Sequence, residues 1–279
     1  GRVASVSLEV EMDRASAAYE VSMSSFRVAE RLTLDSHTLF ESESTSKRSS
    51  ARYTTKSGES ASLPVAQRVK YFGQDLRYAG LSDVPSDARD ELLNLRDFIY
   101  GIGTYSFTLS KIRAASYVRE KADLREDGSG LARVLLYLYL EKRKVFSQLE
   151  TTLQGLVPEV EEIIPRLSDD HVYVMLKERG LREPLPPSLI SDGTLRLMAF
   201  ATALHMTPSL VAFEEPENCI HPHLLDALIH LFRGSEPQVI ITTHSPSLLD
   251  RVKPEEVLVV EKERGETKVF PLRGKAELE

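Results

Sequence analysis

Two short runs constrain this chain more than any other feature: Leu210-Val211-Ala212-Phe213 and Val239-Ile240-Ile241-Thr242. Each is apolar over almost its whole length and too short to be an ordinary helix. A helical pattern at Leu224–Phe232 separates them, and another precedes them at Leu195–Met206. Strands apolar on both faces belong inside a parallel sheet with helices packed on each side. The last third is therefore expected to be α/β.

The first forty residues have a different character. Val6, Leu8 and Val10 alternate with polar residues, and Tyr19, Val21 and Met23 do the same. Phe26, Val28, Leu32 and Leu34 continue the pattern less regularly, which predicts an antiparallel meander. Residues 41–62 are rich in Ser, Thr, Lys and Glu, as in a loop or a polar hairpin tip. A helix capped by Ser86 is expected over Asp87–Tyr100. Asp127-Gly128-Ser129-Gly130 reads as a turn, followed by one helix from Leu131 to about Leu153. Pro158 and Pro165 bracket a short acidic helix, and His171–Leu176 reads as a strand. The prolines of Arg182–Pro187 make a stiff linker. A helical turn is expected at Pro246–Asp250 and a closing hairpin around Arg264-Gly265. By character the chain divides into an antiparallel β lobe (1–85, polar loop at 41–62), a mainly helical lobe (86–187) and an α/β part (188–279).

Composition excludes several classes. Of 279 residues, 42% are hydrophobic and 28% are charged with both signs mixed, which a wholly disordered chain would not show. The longest apolar stretch, Leu131–Leu140, is interrupted by Arg133 and is too short to span a bilayer, so no membrane is expected. Cys219 stands alone, which excludes a disulfide framework and points to a reducing cytoplasm. A net charge of −7 argues against a surface that attracts nucleic acid throughout. Lys142-Arg143-Lys144 is read as a solvated helix face, with DNA phosphate the other reading.

Three motifs sit in order in the last third: Ile190-Ser191-Asp192-Gly193-Thr194 opening a helix, Glu214-Glu215-Pro216 ending the first apolar strand, and Thr243-His244-Ser245 ending the second. Taken singly, each has an ordinary explanation: a helix N-cap, a solvated sheet edge, a satisfied polar histidine. Together they lie at the carboxyl ends of neighbouring buried strands, where open α/β sheets bind ligands. The small-residue turn offers free N–H groups and a positive dipole end, which suit phosphate. Two carboxylates beside phosphate require a bridging cation. Nucleotide phosphate with magnesium fits the set.

At these residues the sequence resembles the SMC/RecF-like branch of the ABC-type ATPases, within it the bacterial predicted-ATPase group related to the OLD-family ATPase domain. Ile190–Arg196 resembles its signature motif and Val211–Asn218 its Walker B with the following Glu-Pro-Glu-Asn. Ile220-His221-Pro222 falls at the D-loop, placing His221 there, and His244 is similar to the switch histidine. Leu124–Leu131 also looks like a segment of the group. The resemblance implies a P-loop NTPase fold, the ABC-type ATPase head, with an antiparallel β N-terminal part and a helical insert. It implies ATP and Mg²⁺ as cofactors. Glu215 would be the general base or water-orienting carboxylate, Glu214 would hold magnesium, and His244 would sense the γ-phosphate. Ser191, Asp192, Gly193 and Thr194 would form the nucleotide-binding signature, with Ser191 and Gly193 on the γ-phosphate of a second subunit's ATP. The site would then be completed in a head-to-tail homodimer, with DNA or another protein as further partners and DNA repair or phage defence as the task.

One part of the pattern is missing. A phosphate-cradling loop needs Gly-x-x-x-x-Gly-Lys followed by Ser or Thr. The one Gly-Lys, Gly274-Lys275, is followed by Ala276, with Val269 at the first glycine position. The expectation is that this loop lies upstream of Gly1 or on another chain, and that these residues alone hydrolyse ATP poorly. The alternative function is a regulatory half that completes the ATP site of a separate chain. Gly101-Ile102-Gly103 imitates a dinucleotide fingerprint but lacks the third glycine. Cys219, His221 and His223 lack a fourth zinc ligand.

Overall fold

The structure, a computed structural model, describes the strands within residues 4–63, residues 97–98, and residues 101–207, 209–218 and 220–272. Contacts group the chain into two compact units, Gly1–Tyr100 and Gly101–Glu279.

The first unit holds a six-stranded antiparallel meander in sequential order: β1 (Ala4–Met12), β2 (Ala15–Ser24), β3 (Arg27–Leu34), β4 (His37–Thr45), β5 (Ser49–Thr54) and β6 (Ser60–Leu63). Period-two alternation sets the register, in which Val6 pairs with Val21 and Leu8 with Tyr19. The polar stretch 41–62, expected as a loop or a polar hairpin tip, contains the end of β4, all of β5 and the start of β6. The helix expected over Asp87–Tyr100 lies outside the described residues except at 97–98, which are helical.

The second unit contains the parallel sheet: β7 (Ile102–Tyr105), β11 (Leu210–Glu214) and β12 (Gln238–Thr242), with β11 in the middle. Both ladders are parallel. A short helix α1 (Leu109–Ile112) follows β7, and then comes the 123–130 turn. Gly130 caps α2 (Leu131–Glu141) at φ 88°, and a Cβ there would lie 2.2 Å from the Asp123 carbonyl oxygen. Only glycine fits.

The single helix expected to run from Leu131 is two. Lys142, at φ −133° and ψ 52°, breaks it between α2 and α3 (Arg143–Leu156). No Gly or Pro marks the break. Across it, Tyr139 meets Phe146 edge-on at 5.3 Å, and Arg143 lies 4.3 Å over the Tyr139 ring. The acidic helix expected between Pro158 and Pro165 is a strand, β9 (Val160–Ser168), paired antiparallel with β10 (His171–Glu178). The sheet order is β8 (Ser116–Tyr117), β10, β9, so β9 is an edge that tolerates Pro165. Its Val160 and Ile163 are buried.

Helix α4 (Asp192–Met206) is buried along nearly its whole length, Thr194 through Leu204. That places it at the centre of the unit rather than on its surface. Phe200 meets Phe213 of β11 edge-on at 4.9 Å, and Phe213 stacks on Phe232 of α5 (Leu225–Arg233) at 5.1 Å. Phe107 joins them at 5.3 Å from Phe200. After β12 come a helical turn α6 (Pro246–Leu249) and a hairpin, β13 (Leu258–Glu263) and β14 (Glu266–Pro271).

Candidate functional site

The parallel strands β7, β11 and β12 finish at one end of their sheet. A crevice of about 340 Å³ opens at that end, lined by Thr104, Tyr105, Ser106, Glu126, Ala212, Phe213, Glu214 and Thr242. Two carboxylates and no basic side chain line it, so an anion enters only with a cation. Magnesium binds through one or two carboxylates plus phosphate oxygens and water, which fits this donor set. Among the described residues no cluster of three metal-ligating side chains occurs. Tyr105 hydrogen-bonds Thr207 through its hydroxyl at 3.1 Å, and burial pushes its phenol above the ordinary value.

Of the expected site residues, Glu214 lines the crevice. Glu215 follows it at φ 44°, in the left-handed region that a non-glycine residue rarely adopts. Its N–H donates to the Thr242 carbonyl at 2.8 Å, and Asn218 Nδ2 donates to its Oε2 at 2.7 Å. The turn is tight, with Asn218 N–H donating to the Glu215 carbonyl at 3.1 Å. His244 is exposed just beyond β12. His221 caps a short 3₁₀ turn (Pro222–Leu224), and its Nδ1 lies 2.6 Å from Nδ1 of His223, so one ring donates and the other accepts. Cys219 lies outside the described residues.

The signature residues form a separate group that does not line the crevice. Ser191 is the N-cap of α4, where its hydroxyl accepts from Thr194 N–H at 3.1 Å and contacts the Thr194 hydroxyl at 2.8 Å. Thr194 is buried. Asp192 is exposed and ion-paired with Arg113 at 2.6 Å. Arg113 also donates to the carbonyls of Ile190, at 3.1 Å, and Pro187. One guanidinium thus holds the entry to α4 from both sides. One turn in, Arg196 is 8% exposed, and its Nε finds no partner among the described residues.

Sequence reasoning missed Arg113, Glu126 and Glu217. Glu126 lay inside the noted Leu124–Leu131 stretch and Glu217 inside the Glu-Pro-Glu-Asn run, so both had a signal. Arg113 had none.

Residues 29–250 match the family described as "AAA domain, putative AbiEii toxin, Type IV TA system". The lipoprotein-releasing system ATP-binding protein LolD of Paramagnetospirillum magneticum is 36% identical over 83 residues, 27% of this chain and 37% of that protein. The chain thus spans little more than a third of that relative's length. Among solved structures, the Smc head bound to the C-terminal winged-helix domain of ScpA aligns at 15% identity and TM-score 0.45, covering 95% of this chain and 75% of the other. The SMC head domain from Thermotoga maritima aligns at 13% identity and TM-score 0.40, covering 91% and 75%. With the family match covering well over half the chain, this protein belongs to that AAA-domain ATPase family.

Proposed function

We propose that the sheet end is an ATP-hydrolysing site completed between two subunits. Glu215 orients or deprotonates the attacking water, Glu214 holds magnesium at the β- and γ-phosphates, and His244 senses the γ-phosphate. Ser191 and the N-terminus of α4, with Asp192, Gly193 and Thr194 building that turn, meet the γ-phosphate bound by the other subunit, and His221 stands at the subunit contact. ATP then joins two copies and hydrolysis releases them. The observation that carries this reading is Glu215 itself. A carboxylate held at positive φ and tied to β12 by its own N–H is a strained, fixed group of the kind functional sites retain. That none of the signature residues lines the Glu214 crevice supports their serving a different nucleotide.

The open edge of β12 supports a further element of the proposal. β12 ends the described sheet, yet it reads as an interior strand, and its Ile240 is 46% exposed. A further strand carrying the phosphate-cradling loop pairs there, supplied by this protein or by another chain, and residues 1–279 alone hydrolyse ATP slowly. The same edge favours the second reading, a regulatory half completing another chain's site. A role in DNA repair or phage defence, with DNA or protein as cargo, goes with either.

ATP-dependent association tests the proposal. The Glu215→Gln protein from the native host should run at twice the protomer mass with Mg-ATP and at protomer mass with ADP. Ser191→Arg should abolish the heavier species. A mass indifferent to nucleotide would refute the interfacial site.

A further inference from the structure

The turn after β11 holds a carboxylate that none of the assigned roles uses. Glu217 Oε1 accepts a hydrogen bond from the Thr243 hydroxyl, while Glu217 Oε2 is buried with no partner among the described residues. Thr243 Oγ1 in turn accepts from the main-chain N–H of Ser245 at 2.9 Å. A hydroxyl has one proton to give, and giving it to Glu217 leaves its lone pairs for Ser245. His244 stands between these two residues, so the backbone on both of its flanks answers to Glu217. The same turn holds the candidate base. Glu215 N–H bonds Thr242, the residue before Thr243, at 2.8 Å, and the Glu217 carbonyl accepts from Ile220 N–H at 2.9 Å. One rigid turn therefore fixes the chain at residues 242, 243 and 245.

A carboxylate that only capped its own turn would have both oxygens bonded or in water. Glu217 instead spends one oxygen on the neighbouring strand's loop, and its other oxygen is buried with no partner among the described residues. This occurs where the chain flanking His244 meets the turn that carries Glu215.

We propose that Glu217 is a positioning residue for hydrolysis. Through Thr243 it locks the main chain of the switch histidine to the turn that carries the base. The proposal rests on the reading of Glu215 and His244 given above. It assigns Glu217 no contact with nucleotide or water.

The test is steady-state ATP hydrolysis by the native protein, with a thermal midpoint for every variant. Glu217→Ala and Thr243→Val should each lower kcat about 10- to 100-fold with KM unchanged, the range that misplaced catalytic groups show. The double variant should be no slower than either single one, because both cut the same link. Glu217→Gln and Thr243→Ser keep the hydrogen bond and should stay within about threefold of wild type. Wild-type kcat in Glu217→Ala or Thr243→Val, or multiplied losses in the double variant, would overturn the proposal. Glu215→Gln, run alongside, separates the two readings. If it leaves hydrolysis intact, the site assignment itself fails. If it abolishes hydrolysis while Glu217→Ala does not, only the positioning role fails.

Discussion

The main-chain N–H of Glu215 donates to the carbonyl oxygen of Thr242 at 2.8 Å, one residue beyond the last pair of the β11–β12 ladder. The bond closes the parallel ladder, and Glu215 turns to φ 44° directly after it. The candidate base is thus anchored to the strand that leads into His244, and its backbone sits in the strained left-handed region.

That strain can be separated from function. Glycine tolerates the left-handed region without penalty, so Glu215→Gly should gain about 1 kcal/mol in stability while losing hydrolysis. Chemical denaturation and phosphate release on the same preparation check it. An equal loss in both would mean that the Glu215 side chain is structural.

Gly130→Ala should destabilise the second unit. The left-handed backbone alone costs about 1–3 kcal/mol, and the new Cβ would also meet the Asp123 carbonyl. Urea unfolding should show a lower midpoint with an unchanged slope.

Much of this fold was legible in the sequence, for reasons that also explain the failures. β11, β12 and α4 were found because apolar residues on every face have few places to go but a covered sheet or a central helix. β7 went unread, since Gly101-Ile102-Gly103-Thr104 carries almost no strand signal and pairs only because β11 lies beside it. β9 was mistaken for a helix because two prolines and Glu161-Glu162 mask an edge strand. The motif residues proposed for the site can be picked out of the sequence, but their ties cannot. Arg113 reaches Asp192 across 79 positions and Thr243 reaches Glu217 across 26, and such partners have no local spacing to betray them.

Arg113→Ala should loosen the start of α4. It removes an ion pair that is half in solvent and two bonds to main-chain carbonyls, together about 1–2 kcal/mol. Hydrogen exchange at Thr194 and Leu195 should speed up, while exchange in the β9–β10 ladder stays as it was.

Burial holds the His205 imidazole below its ordinary value of 6.5, with Glu236 nearby acting the other way. The folded protein therefore binds this proton less readily than the unfolded chain. Its contribution to stability is complete above about pH 6.5 and is lost as pH falls below it toward the folded-state value. Melting curves across pH 5–8 should show a decline on the acid side that is smaller in His205→Gln.

The most direct test of the account is phosphate release from Mg-ATP by the protein from its native host, wild type against Glu215→Gln. The account predicts that the substitution lowers kcat at least about 100-fold, the scale of a lost general base, with nucleotide affinity nearly unchanged. Hydrolysis at the wild-type rate in Glu215→Gln would contradict it.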